Sequence, residues 1–150
     1  MANTVKKIVL GKRPESFKKT VKAPMLDGTI GSMEVEYQYR TRTELAELTD
    51  QLQATLKDEA NAEIERFKSA VEKAKETGDP IPEFTITQTE IVIRQSAVAT
   101  DFIMKIVKGW NLDAEFDKDA VAELIDTLPA MAEAIKDDYR AAINEGRLGN

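Results

Sequence analysis

Cysteine and histidine are both absent from the 150 residues. Without cysteine there is no disulfide framework, thiolate nucleophile, iron–sulfur cluster or zinc finger. Without histidine there is no imidazole base and no histidine-containing metal site, so the ordinary hydrolase triads are excluded. The seven glycines (11, 28, 31, 78, 109, 146, 149) build neither a GxxxxGK nor a GxGxxG, which removes the usual phosphate loops. No stretch approaches the ~20 apolar residues of a membrane span, and residues 1–11 lack the apolar core and cleavage site of a secretory signal. What is present is 42% hydrophobic and 32% charged residues, enough for one domain with its own core. A soluble cytosolic protein without membrane contact, cofactor or metal is expected.

The formal charge of -6 is unevenly spread. Residues 1–42 carry nine Lys or Arg against Glu15, Asp27, Glu34 and Glu36, a net of +5, which leaves −11 for the remainder. A basic end is joined to an acidic body. Such a division arises from solvated faces alone, or it marks an end built to meet an acidic surface. Nucleic acid is the weaker candidate for that surface, because only Phe17, Tyr37 and Tyr39 accompany the cations and the acidic body would repel phosphate.

The first 42 residues have mainly strand character. Residues 5–10 are short and apolar, and residues 17–25 lead into Asp27-Gly28, a two-residue hairpin signal. Beyond it Met33, Val35, Tyr37 and Tyr39 alternate with Glu34, Glu36, Gln38 and Arg40, as a half-buried antiparallel strand does. Gly31 and Ser32 interrupt the alternation and suggest a bulge.

At Thr41 the period changes. Thr41 with Glu44 has capping-box spacing, and Leu45, Leu48, Leu52, Leu56, Ala60, Ile64, Phe67, Val71 and Ala74 follow at helical spacing. A long helix over 43–77 is predicted, stopped by Gly78 and Pro80. Its stripe either docks on the sheet and the later helices or extends beyond the globule as an interface. Phe84 and Ile86 alternate like a strand, while Thr87 with Glu90 forms a second capping box, and a helix over 88–108 is favoured. It is apolar on two sides and so should lie between other elements. Gly109 is expected to close it in a left-handed conformation, with Trp110 folding back on the last turn. Helices over 117–127, capped by Asp117, and over 129–146, opened by Pro129, complete an αα-hairpin. The expectation is a single α+β domain over 1–150: a small N-terminal hairpin-built antiparallel sheet packed with the long helix and a C-terminal three-helix region.

The acidic run Asp113, Glu115, Asp117, Asp119 resembles a calcium loop, yet the sixth position is Lys118 and the twelfth Leu124. Asp137 and Asp138 are adjacent on a helix and do not face one another. No catalytic constellation emerges, and enzymatic activity is not expected.

Two clusters together carry a resemblance. The first is Leu10-Gly11-Lys12-Arg13-Pro14-Glu15-Ser16-Phe17, then Asp27-Gly28 and a strand ending Tyr39-Arg40-Thr41-Arg42-Thr43-Glu44. The second is Gly109-Trp110-Asn111-Leu112 with Phe116, a short helix, Pro129, and a last helix containing Ala134-Ile135 and Tyr139. In their order, and with the chain's length and acidity, they resemble the tail assembly chaperones of long-tailed bacteriophages, in phage or prophage. The resemblance implies a non-enzymatic α+β protein that binds the tape measure protein, keeps it soluble and helps recruit tail tube subunits. It also implies a place in the host cytoplasm and absence from the mature virion.

Combined with the charge division, the resemblance suggests self-association in which the basic end of one copy meets the acidic body of the next. Lys12, Arg13, Arg40, Arg42 and Tyr139 are candidates for that contact, and Trp110, Leu112 and Phe116 for the tape measure. Two readings from other classes stay open: a structural virion protein such as a tail terminator or head–tail connector, which would share the size and acidity, and a basic-armed nucleic-acid or regulatory protein, which would bind DNA with steep salt dependence.

Overall fold

The computed structural model describes residues 4–149. In chain order the elements are β1 (Ser16–Pro24), β2 (Ile30–Gln38), α1 (Arg42–Thr77), α2 (Gln88–Ile106), β3 (Val107–Trp110), α3 (Lys118–Thr127) and α4 (Pro129–Glu145). The sheet is antiparallel with β2 in the middle, in the order β1-β2-β3, and helices cover one of its faces. The fold is α+β, as the pattern of elements predicted.

Alternation builds the sheet. Val21 and Ala23 on β1 and Met33, Val35 and Tyr37 on β2 are buried, while Lys18, Lys22, Glu34 and Gln38 are exposed between them. The hairpin loop is one residue longer than the Asp27-Gly28 signal suggested. Met25 N–H donates to the Thr29 carbonyl at 2.7 Å and Gly28 N–H to the Met25 carbonyl at 3.0 Å, so residues 26–28 form the loop, with Gly28 at φ 84°. Asp27 steadies it by accepting from the Thr29 amide and hydroxyl, which holds its carboxyl below the usual range. The expected bulge at Gly31 and Ser32 is absent, since both pair in register with β1. Gly31 is small because a Cβ there would run into the Met25 side chain.

The third strand was not foreseen. Residues 107–110 leave α2 in extended form and pair along β2, with Val107 opposite Tyr37 and Trp110 opposite Val35. A one-residue irregularity between Glu36 and Tyr37 absorbs Lys108. Gly109 is therefore a strand residue opposite Glu36, with no left-handed cap, and Trp110 does not return to the helix. Asn111 fastens the strand's end, its side-chain oxygen accepting from Glu34 N–H at 2.8 Å and its own N–H donating to Glu34 O at 3.1 Å. At the other end of the chain, residues 5–10 form no strand.

The core lies between the sheet and α2, α3 and α4. Val21, Val35, Tyr37, Ile103, Ile106, Val121, Ile135 and Tyr139 are its fully buried large side chains. Two tyrosines join the beginning of the chain to its end. Tyr37 OH donates to the Ile135 carbonyl of α4 at 2.8 Å, and Tyr139 OH donates to the Gln38 carbonyl of β2 at 2.9 Å. Their rings lie 5.3 Å apart, with Phe17 stacked 6.2 Å from Tyr139. Burial pushes both phenols above their ordinary pKa, aided for Tyr37 by Asp138 and opposed for Tyr139 by Arg40.

The long helix is another matter. The Thr41–Glu44 capping box forms, and Gly78 ends the helix at φ 75°. Of its stripe only Leu45 and Leu48 are buried in the main core. At about 1.5 Å per residue the 36 residues span about 54 Å, so most of α1 runs beyond the body. Leu56 and Ile64 are 38% and 45% exposed. The connector after Gly78 turns back along this helix, and Phe84 meets Phe67 edge-on at 5.2 Å. In α2, Phe102, Ile103 and Ile106 enter the core, but Val92 and Ile93 in its first half stay exposed. Only the second half of α2 therefore lies between other elements.

Removing either phenolic hydroxyl should cost about 1–2 kcal/mol, because a buried carbonyl loses its donor. Urea unfolding of Tyr37→Phe and Tyr139→Phe, compared with the parent, measures this. Because the native pKa values are raised, the stabilisation is complete below the ordinary tyrosine value of about 10 and is lost as pH rises above it. Alkaline unfolding of the parent should accordingly start near that pH.

Candidate functional site

The candidate residues from the sequence fall into two places. Near the start of α1, Arg13 donates to both Glu44 oxygens, at 3.0 and 2.8 Å, and lies over the Tyr39 ring at 5.3 Å. Arg40 Nη1 donates to Tyr139 OH at 3.2 Å, so Tyr139 is a core residue with one polar contact to the surface. Lys12 and Arg42 are exposed beside them. The second place is the turn after β3. Trp110 Nε1–H donates to the Ala114 carbonyl at 2.7 Å, and its ring meets Phe116 edge-on at 5.0 Å. Both rings pack partly on the core, which leaves Leu112, 38% exposed, as the apolar tip of that turn. Val35, opposite Trp110, and Arg40 are five residues apart along β2 and its extension, so the two groups stand roughly 17 Å apart. The structure does not bring them together.

Ser16 and Lys19 have SxxK spacing, but on a strand an odd separation sends them to opposite faces, and Ser16 Oγ donates to Glu36 at 2.9 Å. Among the described residues no cluster of Asp and Glu could hold a metal ion. No described helix is long and apolar enough to cross a membrane.

A third place was not anticipated. Between α1 and the first half of α2 lies an open cleft of about 900 Å³. Its apolar lining comes from Leu52, Leu56, Ala60 and Phe67 of α1, Phe84 of the connector, and Ile93 and Val98 of α2. Around these stand Glu59, Glu63, Glu83, Glu90 and Asp101, against Arg66 and Arg94. Ala60 of α1 and Ala97 of α2 both line the cleft, where larger side chains would fill it. Among the described residues the ion pair between the two helices is Arg94 to Glu63, and this contact holds the Glu63 carboxyl below its usual range. A smaller recess of about 440 Å³ opens on the other side, where Arg94, Lys136 and Arg140 surround Leu52, Val98 and Phe102 without a carboxylate. Arg140 sits 4.7 Å over the Phe102 ring there.

Chemically, the cleft offers an apolar floor and an acidic rim, arranged along a helix. That suits an amphipathic or extended polypeptide segment with basic flanks. The sequence contained two signals for it. The second half of the α1 stripe is diluted by Ala60, and α2 has one more apolar side than its partners in the body can cover.

The whole chain, residues 1–150, matches the family model described as phage tail assembly chaperone. No curated protein and no solved structure matches it.

Because the native pKa of Glu63 is lowered, the tie to Arg94 is complete above the ordinary carboxylate range and is lost as pH falls through the depressed value. Amide exchange, corrected for intrinsic rates, should show less protection at residues 56–76 than in α4, and protection there should fall further on acidification. Arg94→Gln should lower it at neutral pH and flatten that acid dependence.

Proposed function

The chain belongs to the phage tail assembly chaperone family, and from that membership we propose that it holds the tape measure protein in soluble form and helps recruit tail tube subunits around it. The observation that supports a holding role is the projecting pair of helices, which leaves Leu56, Ile64, Ile81, Phe84, Ile86, Val92 and Ile93 accessible. Scattered apolar residues are normal on a surface, but these are gathered along one arm and its connector. A tape measure segment lies against this arm with its apolar stripe on the cleft floor, in the manner of a helix in a groove. Leu112 offers a smaller contact of the same kind on the body. Copies line up along the client with the basic surface at Lys12, Arg13, Arg40 and Arg42 turned towards an acidic neighbour.

The role needs binding and release, with no bond made or broken. We assign the protein to the host cytoplasm during tail assembly, outside the finished virion.

Ile64 and Ile93 are 45% and 61% exposed, so replacing them with Asp should leave the fold intact. Coexpressed with the tape measure protein, the parent chain should co-purify with it and keep it in the soluble fraction. The double variant Ile64→Asp, Ile93→Asp, checked for unchanged circular dichroism, should lose both properties. Retention of co-purification by a folded double variant would refute the arm as the holding surface. Leu112→Asp should weaken capture by a smaller amount.

A further inference from the structure

Residues 5–10 have no place in their own fold. Val5, Ile8 and Leu10 are 92%, 86% and 91% exposed, Val9 is 56% exposed, and the segment has no regular structure. It is also purely basic, with Lys6, Lys7 and Lys12 and no carboxylate before Glu15. Its root is fixed where Arg13 binds Glu44 at the start of α1. An apolar, cationic segment thus leaves the body from a defined point and stays exposed among the described residues.

The cleft between α1 and α2 has the complementary character. Its lining carries five carboxylates against two arginines above an apolar floor. The lengths also agree. Six extended residues reach about 20 Å, and the floor from Leu52 to Phe67 runs about 22 Å along the helix. We propose that residues 5–10 of one copy dock in this cleft of a second copy, their two alternate apolar faces, Ile8 with Leu10 and Val5 with Val9, meeting the opposite walls of the floor at Leu56, Phe84 and Ile93, while the long side chains of Lys6 and Lys7 reach Glu59 and Glu83 on the rim. Donor and acceptor are different surfaces of the same chain, so the contact is heterologous and propagates into an open row. It rests on the cleft being a docking surface, as the holding role requires, but it needs no client: the segment fills the cleft in the client-free protein, and a tape measure segment binds there by displacing it.

Sedimentation velocity on the full chain alone tests it. The parent should associate with rising concentration, and high salt should weaken the association by about tenfold or more. Lys6→Glu with Lys7→Glu should give a monomer, and so should Glu59→Lys with Glu83→Lys. Mixing these two charge-reversed proteins should restore association, because each then offers a matching arm or cleft to the other. A parent that stays monomeric at all concentrations, or a mixture of the two variants that stays monomeric, overturns the proposal. So does a monomer in which deleting residues 2–10 strips amide protection from α1, since the segment would then occupy its own cleft. Loss of tape measure capture with self-association intact would count against the holding role alone.

Discussion

Two reciprocal hydroxyl-to-carbonyl hydrogen bonds hold the body together. Tyr37 on the central strand reaches a carbonyl of the last helix, and Tyr139 on the last helix reaches a carbonyl of the central strand. The exchange is reciprocal, so α4 can slide along the sheet only by breaking both bonds, one of them fully buried. With α4 fixed, α3 and the second half of α2 fill the remaining space against the sheet, and β3 is led onto the free edge of β2. The body is complete without most of α1, which contributes Leu45 and Leu48 and is otherwise available for outside contacts.

Local chemistry made much of this legible. Thr41 with Glu44 and Thr87 with Glu90 form the capping boxes that their spacing announced, Asp117 caps α3 through Ala120 N–H, and Pro129 opens α4. Such signals depend on residues three or four apart, so the sequence displays them directly. The third strand depends on something the sequence does not display, an unpaired edge of β2 in the right place. Val107-Lys108-Gly109-Trp110 has the look of a helix terminus until Glu36 and Val35 supply hydrogen bonds. The opposite case occurs at residues 5–10, where strand-like composition is not paired with the open edge of β1.

The site divides in the same way. That cations gather at one end and carboxylates at the other is a count along the chain. That the carboxylates of α1, the connector and α2 surround one apolar floor depends on how far apart the two helices stand, which is set by packing tens of residues away. The tryptophan turn shows the converse. Trp110 and Phe116 look like exposed anchors in a list of aromatics, yet each satisfies the other, and the indole N–H is already spent on Ala114.

The seating of α1 has a mechanical consequence. From Leu48 to Thr77 the helix extends about 44 Å past its last residue in the core, which makes it a lever with a short root. A ten-degree tilt at that root displaces the far end by roughly 8 Å, an ordinary small adjustment of one packed side chain against another amplified by the length of the helix. The width of the cleft is then a matter of angle at Leu45 and Leu48, held in check by the Arg94–Glu63 ion pair that ties α1 to α2. A change of that size alters the cleft while the tyrosine-bolted body that carries the lever stays as it is.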